Sequence, residues 1–274
     1  MSGAEGDPLP GSAALDPQRL SALCAGCSLA REIVVLEEIT STSDVVLAAA
    51  RGGATEGLVV LAETQTAGRG RMGRTWESAA RKGLWMSLLL RPRFQSERFS
   101  RLTIWAALAI AEAVESVAPC RVAIKWPNDL QIGGKKIAGI LIETGSDSAR
   151  AEFAVLGIGV NVNHGVDDFR AELAAAGSLR QAVNGEVDRT ALAAAILRGL
   201  DASYAALESG FAAMIASVEA RSSLIGRKIQ VRAGTEFVEG IAVGLDEYGA
   251  LMLQKSDGST FRAASGEVTV VASS

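Results

Sequence analysis

Residues 68–76 read Gly-Arg-Gly-Arg-Met-Gly-Arg-Thr-Trp and follow a predicted strand, Leu58–Glu63. The three glycines let the backbone bend closely around a ligand. The three arginines offer permanently charged forks that match carboxylate and phosphate oxygens. Such a loop suits a site that holds two anions together, because their repulsion at ~4 Å in a dry site would otherwise cost several kcal/mol.

Two familiar phosphate-binding motifs match this loop only in part. Gly68, Gly70 and Gly73 have the spacing of the dinucleotide-binding fingerprint, and Arg74-Thr75 stands where a P-loop has Lys before Ser or Thr. Both motifs require a helix that begins at the last glycine, so that its N-terminus faces the phosphate. The chain instead returns to a predicted strand, Leu84–Leu90, so the sequence disfavours both interpretations.

Two further polar clusters lie downstream. The segment Lys125-Trp126-Pro127-Asn128-Asp129 ends a predicted strand in a turn that presents an amine, an amide and a carboxylate. Lys136 opens an apolar strand, Lys136–Glu143, which can bury the lysine stem and direct its charge into a cleft. Each cluster alone is ordinary, since Pro-Asn-Asp also forms common turns.

The composition indicates a soluble α/β or α+β protein of one large or two smaller domains. The chain has 274 residues, of which 49% are hydrophobic, and a net charge of −4. Residues 69–101 nevertheless hold nine basic side chains against Glu77 and Glu97. This cationic segment fits a compact anionic ligand such as a phosphate, although a solvated basic face is the alternative interpretation.

Several function classes are disfavoured. The single histidine, His164, excludes a multi-histidine metal cluster and makes triad chemistry improbable; its turn-like setting predicts a surface loop. Cys24 and Cys27 have CxxC spacing but no second metal-ligand pair beside them. The chain shows neither a secretory signal nor an apolar run of transmembrane length, which predicts a cytoplasmic protein without a membrane partner.

The composition and the predicted elements divide the chain into three regions. Residues 1–28 are rich in Gly, Ala, Ser and Pro and predict a poorly ordered leader; residues 29–222 predict the catalytic domain, and residues 223–274 a small β-barrel of five short strands. The predicted helices are Val45–Arg51 capped by Ser43 or Asp44, Ser100–Val117, Asp188–Glu208 and Phe211–Arg221. The remaining predicted strands of the catalytic domain are Glu32–Glu38, Val122–Trp126, Leu130–Ile132 and Phe153–Val162.

The ordered set of segments resembles the biotin protein ligase family over about residues 31–272. The resemblance rests on a Ser41-Thr42-Ser43 turn and four motifs: Gly68–Arg74, Lys125–Asp129, Lys136–Glu143 and Gly157–Val162. It implies an α+β fold in which helices flank a mixed β-sheet, as in class II synthetase-like biotin/lipoate ligase catalytic domains. It also implies a small C-terminal SH3-like β-barrel.

The resemblance implies a two-step reaction. Biotin reacts with MgATP to give biotinyl-5′-AMP, and the biotin then passes to a lysine of a biotin carboxyl carrier domain. The implied partners are therefore biotin, ATP with Mg²⁺, and the carrier domain of acetyl-CoA carboxylase or a related biotin-dependent carboxylase. The chain is expected to act as a monomer or homodimer.

The resemblance also assigns roles by position. Lys136 and Arg71 are the implied catalytic residues. The implied biotin-binding residues are Ser41, Thr42, Ser43, Gln65, Arg69, Gly70, Arg71 and Lys136. The implied ATP-binding residues are Arg71, Arg74, Trp76, Asn128, Asp129 and Asn161, with Asp129 also a candidate magnesium ligand and a candidate base for the carrier lysine.

The chain departs from its relatives at three points. Position 72 is Met where many relatives carry Arg, and position 43 is Ser where Asn is common. About thirty residues precede the first strand and lack helical periodicity, which predicts a form without the DNA-binding domain of ligase-repressors.

Three alternatives remain open at this level. A lipoate-type acyl ligase would share the fold, but its glycine-rich, histidine-containing signature is absent from the sequence. A non-enzymatic biotin sensor or DNA-binding repressor would need a basic reading helix. A nucleic-acid-binding role for the Gly-Arg loop would require more such repeats or interleaved aromatic residues.

Overall fold

The computed structural model describes residues 13–94, 98–146, 152–170, 173 and 175–271. A seven-stranded mixed sheet forms its centre, in the order β1-β2-β3-β7-β6-β5-β4. Strands β1 and β2 are parallel, and all the other neighbours are antiparallel. The strands are β1 Glu32–Ile39, β2 Leu58–Gln65, β3 Gly83–Leu90, β4 Ala123–Lys125, β5 Asp129–Ile132, β6 Lys135–Ser146 and β7 Glu152–Asn161.

Helices cover both faces of this sheet. Helices α3 (Ser100–Val117) and α5 (Arg189–Ser203) contribute to the large core on one face, and α2 (Thr42–Arg51) covers a smaller cluster on the other. Strand β3 is buried along its whole length and supplies side chains to both clusters, in keeping with the alternation of a strand. The predicted mixed sheet flanked by helices is confirmed.

Two predicted helices have different bounds in the structure. Helix α2 begins at Thr42 with Ser41 as its N-cap residue, not after Ser43 or Asp44. The predicted helix over residues 188–208 is divided into α5 and the short α6 (Ala206–Ser209), because the chain turns at residues 204–205. Helix α4 is Leu179–Val183, and α7 is Phe211–Ala220, close to its predicted bounds.

The prediction of a poorly ordered leader is wrong for residues 13–28; residues 1–12 lie outside the described part. Residues Pro17–Leu23 form helix α1, whose N-cap Asp16 accepts a hydrogen bond from the Arg19 N–H. Leu20 is fully buried against the core. A seven-residue helix is too short to show periodicity, so only the Asp16-Pro17 start signal could have indicated it.

Burial disfavours the thiolate form of the two cysteines near α1. Burial raises the pKa of Cys24 to about 11 and also raises that of Cys27. Thiols are reactive as thiolates, so neither cysteine has the electrostatic setting of a nucleophile or metal ligand.

A buried ion pair ties the segment before α1 to the sheet. Arg189 donates to the Glu63 carboxylate at 2.6 Å, and both side chains are almost fully buried. The guanidinium also donates to the carbonyl oxygens of Gly83 and Ala13, while the Leu15 N–H donates to Glu63. The pair therefore joins β2, β3, α5 and the N-terminal segment at one point.

The C-terminal strands form a second, antiparallel sheet in the order β11-β10-β9-β8-β12. They are β8 Lys228–Ala233, β9 Glu236–Leu245, β10 Leu251–Gln254, β11 Thr260–Ala263 and β12 Glu267–Val270. The predicted small C-terminal β structure is confirmed; the exact domain boundary at residue 223 stays a prediction. In the described part of the chain, no helix has both the length and the apolar character needed to cross a membrane.

Candidate active site

A cleft of about 1010 Å³ opens beside the glycine-arginine loop, along β6 and β7. Every residue to which the sequence assigned a role lines it: Ser41, Thr42, Ser43, Gln65, Arg69, Gly70, Arg71, Arg74, Trp76, Asn128, Asp129, Lys136 and Asn161. These positions are spread over about 120 residues of sequence. The fold therefore brings the separate motifs into one site.

A network of hydroxyl groups and one amide forms part of the cleft wall. The Gln65 amide oxygen accepts hydrogen bonds from the Thr42 N–H at 2.8 Å and from the Thr42 hydroxyl at 3.0 Å. Ser87 lies 2.8 Å from the Thr42 hydroxyl and 3.0 Å from that of Ser43. Hydroxyls both donate and accept, so this network suits a small ligand that carries both kinds of group.

Sequence reasoning missed Ser87. It is fully buried in the middle of β3, where its neighbours are apolar. A lone serine in a strand has no motif around it, and the only available signal was a polar residue inside a run that is otherwise apolar. A buried hydroxyl must find partners, which here are the cleft hydroxyls.

Two glycines make room for the tryptophan of the loop. A Cβ at Gly139 would lie 2.6 Å from the Trp76 ring, and one at Gly159 would lie 2.7 Å from it. These glycines are register partners on β6 and β7, so together they form a flat surface under the indole. No described residue accepts a hydrogen bond from the buried Trp76 Nε1.

Two arginines of the loop, Arg69 and Arg71, contact different parts of the cleft. Arg69 pairs with Asp44 at 2.6 Å and with Glu143 at 3.3 Å. Arg71 donates to the Asn128 amide oxygen at 3.0 Å. Burial lowers the pKa of Arg71, against the opposing effect of Asp129. A cation held in a partly desolvated position attracts an anion more strongly than one in water.

Lys136 lies at the centre of the cationic part. Its ammonium is 2.6 Å from the Asp129 carboxylate and 5.1 Å from the centre of the Trp76 ring. The adjacent Asn128 amide donates to the Ile140 carbonyl oxygen at 2.9 Å, which fixes the turn before β5. The turn and the β6 lysine are thus brought together, as the sequence predicted.

The loop after β7 closes another side of the cleft. Asn161 is buried and donates from its amide to the Gly177 carbonyl oxygen at 3.0 Å. Asp168, Phe169 and Arg170 also line the cleft, and sequence reasoning did not identify them. Their contribution depends on how the loop folds back, which no motif encodes.

The prediction that His164 lies on the surface is wrong. Its side chain is 2% exposed, stacked on Phe169 at 5.2 Å and edge-on to Trp85 at 6.0 Å. Burial lowers its pKa to about 4, with Asp168 opposing and Lys82 adding to the effect. The turn-like residues around it indicated a loop correctly, but this loop packs against the core.

His164 should make stability depend on pH. Its native pKa of about 4 lies below the ordinary histidine value of 6.5, so the unfolded chain binds more protons between these values. The contribution of the neutral imidazole to the free energy of unfolding is complete above pH 6.5. It falls by about 3 kcal/mol as the pH drops to 4. Denaturant unfolding from pH 7 to pH 4 should show the stability of the wild type falling relative to His164→Gln. A constant difference between the two proteins would contradict the assignment.

The cleft does not provide a complete metal site by itself. In the part of the chain that the structure describes, no three His, Cys, Asp or Glu residues cluster in a way that could hold a metal. A Mg²⁺ ion that arrives with a nucleotide would need only one or two protein carboxylates, because such ions also take phosphate oxygens and water. Asp129, in the turn Lys125–Asp129, is a carboxylate residue that lines the cleft.

Two family models match the chain in succession. Residues 35–161 match the Biotin/lipoate A/B protein ligase family, and residues 224–271 match the Biotin protein ligase C terminal domain. The first match covers the mixed sheet with its glycine-arginine loop, and the second covers the C-terminal β structure. The fold and the site thus define an acyl ligase of the biotin/lipoate class.

Proteins of similar sequence show to which family within this class of acyl ligases the chain belongs. The chain is 34% identical over 244 residues to the biotin--[acetyl-CoA-carboxylase] ligase of Mycobacterium tuberculosis, covering 87% of this chain and 88% of that protein. It is 37% identical over 232 residues to the bifunctional ligase/repressor BirA of Bacillus spizizenii, covering 84% and 71%. The chain belongs to the biotin protein ligase family.

A solved structure agrees with this assignment. The biotin protein ligase from Aquifex aeolicus in complex with biotin and ATP superimposes with a TM-score of 0.76 at 27% identity, covering 89% of this chain and all of that one. The similarity extends over both sheets. The resemblance inferred from the ordered motifs is therefore confirmed.

Proposed function

We propose that this chain is a biotin protein ligase that converts biotin and ATP into biotinyl-5′-AMP and transfers the biotin to a carboxylase carrier lysine. The observation that carries the proposal is the convergence of a hydroxyl network and several cationic side chains in one cleft. The hydroxyls can donate to and accept from the cyclic urea of biotin. The cations can bind the biotin carboxylate and the phosphate chain of ATP.

In the first step, a biotin carboxylate oxygen attacks the α-phosphorus of ATP, and the bond to the β-phosphate oxygen breaks to release pyrophosphate. Arg69 and Arg71 would neutralise the carboxylate, while Lys136 would stabilise the charge that develops at the reacting phosphorus. Arg74, Asn128 and Asn161 would bind the nucleotide. This work is electrostatic, and it requires no nucleophilic side chain.

Trp76 would stack on the adenine ring. Its ring lies against Gly139 and Gly159, where no Cβ comes between the ring and the sheet, and a base would stack on the side turned away from these glycines. Magnesium bound with the nucleotide would supply Lewis-acid stabilisation of the phosphates, with Asp129 as its candidate protein ligand.

In the second step, the ε-amine of the carrier lysine attacks the acyl carbon of the mixed anhydride, and AMP leaves with the electrons of the broken bond. The amine must first lose a proton, since its ordinary pKa is near 10.4. Asp129 is the candidate base. Ordering of the glycine-arginine loop over the adenylate would protect it from water until the carrier binds.

We further propose that the carrier is the biotin domain of acetyl-CoA carboxylase or a related carboxylase, and that the chain works as a monomer or homodimer without binding DNA. Several basic residues of segment 69–101 are paired with carboxylates: Arg69 with Asp44, Arg74 with Glu267, Arg81 with Glu37 and Lys82 with Asp168. These pairs leave less free positive charge for a phosphate backbone.

Exchange of labelled pyrophosphate into ATP tests the adenylation step. We expect exchange that depends on biotin and is not supported by lipoate. Exchange with lipoate alone would favour a lipoate-type ligase, and biotin binding without exchange would favour a sensor. A gel shift with promoter DNA tests whether the chain binds DNA, and we expect no shift.

A further inference from the structure

The C-terminal sheet supplies part of the cleft wall. Residues 266–269, at the beginning of β12, line the cleft opposite the glycine-arginine loop. Gly266 has a φ of +153°, and a Cβ there would lie 2.7 Å from the Arg232 carbonyl oxygen. Glycine is therefore required at 266, and this backbone course places Glu267 at the cleft.

Glu267 is shared by two arginines. Its Oε2 pairs with Arg232 at 2.5 Å, and Arg232 is its register partner on the neighbouring strand β8. Its Oε1 pairs with Arg74 of the glycine-arginine loop. One carboxylate therefore has one partner within its own sheet and one on the glycine-arginine loop.

Two hydrogen bonds connect the C-terminal β structure to the catalytic domain. The Trp126 indole donates to the Gly249 carbonyl oxygen at 3.0 Å in a buried position. The Glu219 carboxylate accepts from the Leu245 N–H at 2.7 Å. Because these contacts fix the sheet, Glu267 has a defined position relative to the cleft, and Arg74 is the partner that can move away.

The exposure of the side chains indicates that Arg74 is the partner of Glu267 that can turn to a ligand. The Arg74 side chain is 69% exposed, whereas those of Glu267 and Arg232 are 26% and 41% exposed. A phosphate entering the cleft can reach the Arg74 guanidinium without first displacing packed atoms. The phosphate and the Glu267 carboxylate compete for the same N–H donors.

We propose that Glu267 competes with the nucleotide for Arg74: it holds Arg74 at the cleft mouth in the empty enzyme and releases it to the triphosphate. Arg232 then keeps the carboxylate neutralised. The proposal rests on the proposed function, which gives Arg74 its phosphate contact. A contact that exists only in the empty state weakens ligand binding, so its removal favours the bound state.

Pyrophosphate exchange as a function of MgATP concentration tests this role. Glu267→Gln should lower the KM for MgATP by about two- to five-fold, the range of a partly exposed ion pair. Arg232→Gln should raise that KM, because the carboxylate then depends on Arg74 alone. Glu239→Gln is the matched control: Glu239 lies on the same sheet beside Lys228 and Gln230, away from the cleft, and should leave the KM unchanged.

A double variant shows whether Glu267 acts through Arg74. In an Arg74→Gln background, Glu267→Gln should no longer change the KM for MgATP. A KM that is raised or unchanged in Glu267→Gln, with a wild-type melting temperature, overturns the proposal. If that variant melts early, Arg232→Gln decides, and an unchanged or lowered KM overturns it. A wild-type chain without biotin-dependent exchange contradicts the proposed function instead.

Discussion

Replacing Lys136 with methionine is expected to lower the maximal rate of biotin-dependent pyrophosphate exchange by about 10²- to 10³-fold, the usual effect of removing one preorganised charge at a reacting centre. Methionine keeps most of the length of the side chain and can still pack against Trp76, but it carries no charge. The expected loss lies in kcat, because Lys136 would act most strongly where charge develops.

Lys135→Met is the matched control for this prediction. Lys135 is adjacent on β6 but exposed, and its side chain faces Gly177, not the cleft. It should retain nearly full exchange activity and bind biotin normally. An unchanged exchange rate in Lys136→Met would refute the role assigned to Lys136, whatever its effect on biotin affinity.

Replacing Arg189 with methionine is expected to reduce the free energy of unfolding by about 3–5 kcal/mol, because the Glu63 carboxylate would remain buried without its partner. The change also removes donors from the Gly83 and Ala13 carbonyl oxygens. Denaturant unfolding of purified protein measures the effect directly.

Two further variants test whether the loss of stability in Arg189→Met comes from the buried ion pair. The double variant Glu63→Gln with Arg189→Met should recover part of the lost stability, because no charge is then left buried. Arg19→Met removes a pair with Asp188 in which both side chains are about half exposed, and it should cost about 1 kcal/mol or less. Equal losses in Arg189→Met and Arg19→Met would show that burial of the ion pair does not govern its contribution.

Local patterns predicted most of the fold. Helix α3 has the bounds that its apolar periodicity indicated, and the catalytic strands deviate from their predicted bounds by three residues at most. The turns at Gly234, Gly249 and Gly258, all with positive φ, separate the short C-terminal strands, whose number the sequence predicted. These features depend on residues that are close in sequence, which is why the sequence reveals them.

Features that depend on long-range contacts were missed. Glu63 and Arg189 are 126 positions apart, and nothing near either residue indicates that they meet in the core. Ser87 resembles any serine in a strand until Thr42 and Ser43 are placed beside it. His164 lies in a loop by sequence, but Trp85 and Phe169 bury it.

Individual residues of the candidate site were predicted from the sequence only where they belong to a recognisable motif. The glycine-arginine loop, the Lys125–Asp129 turn and Lys136 could be assigned to one site because their residue types and order together are specific, and the roles of these residues stay predictions. The cleft wall at residues 266–269 was not identified, because a Gly-Glu pair before a short strand is common. Its role follows only from how the C-terminal sheet packs.

The central claim is that fixed cations in one cleft let two mutually repelling anions meet and react. Incubating the purified chain with biotin and MgATP, followed by an apo-carboxyl carrier domain, tests it most directly by mass spectrometry. We expect biotinyl-5′-AMP on the enzyme, and then one added biotin on the carrier lysine with release of AMP. Neither adenylate nor labelled carrier, from a folded protein that binds both substrates, would contradict the claim.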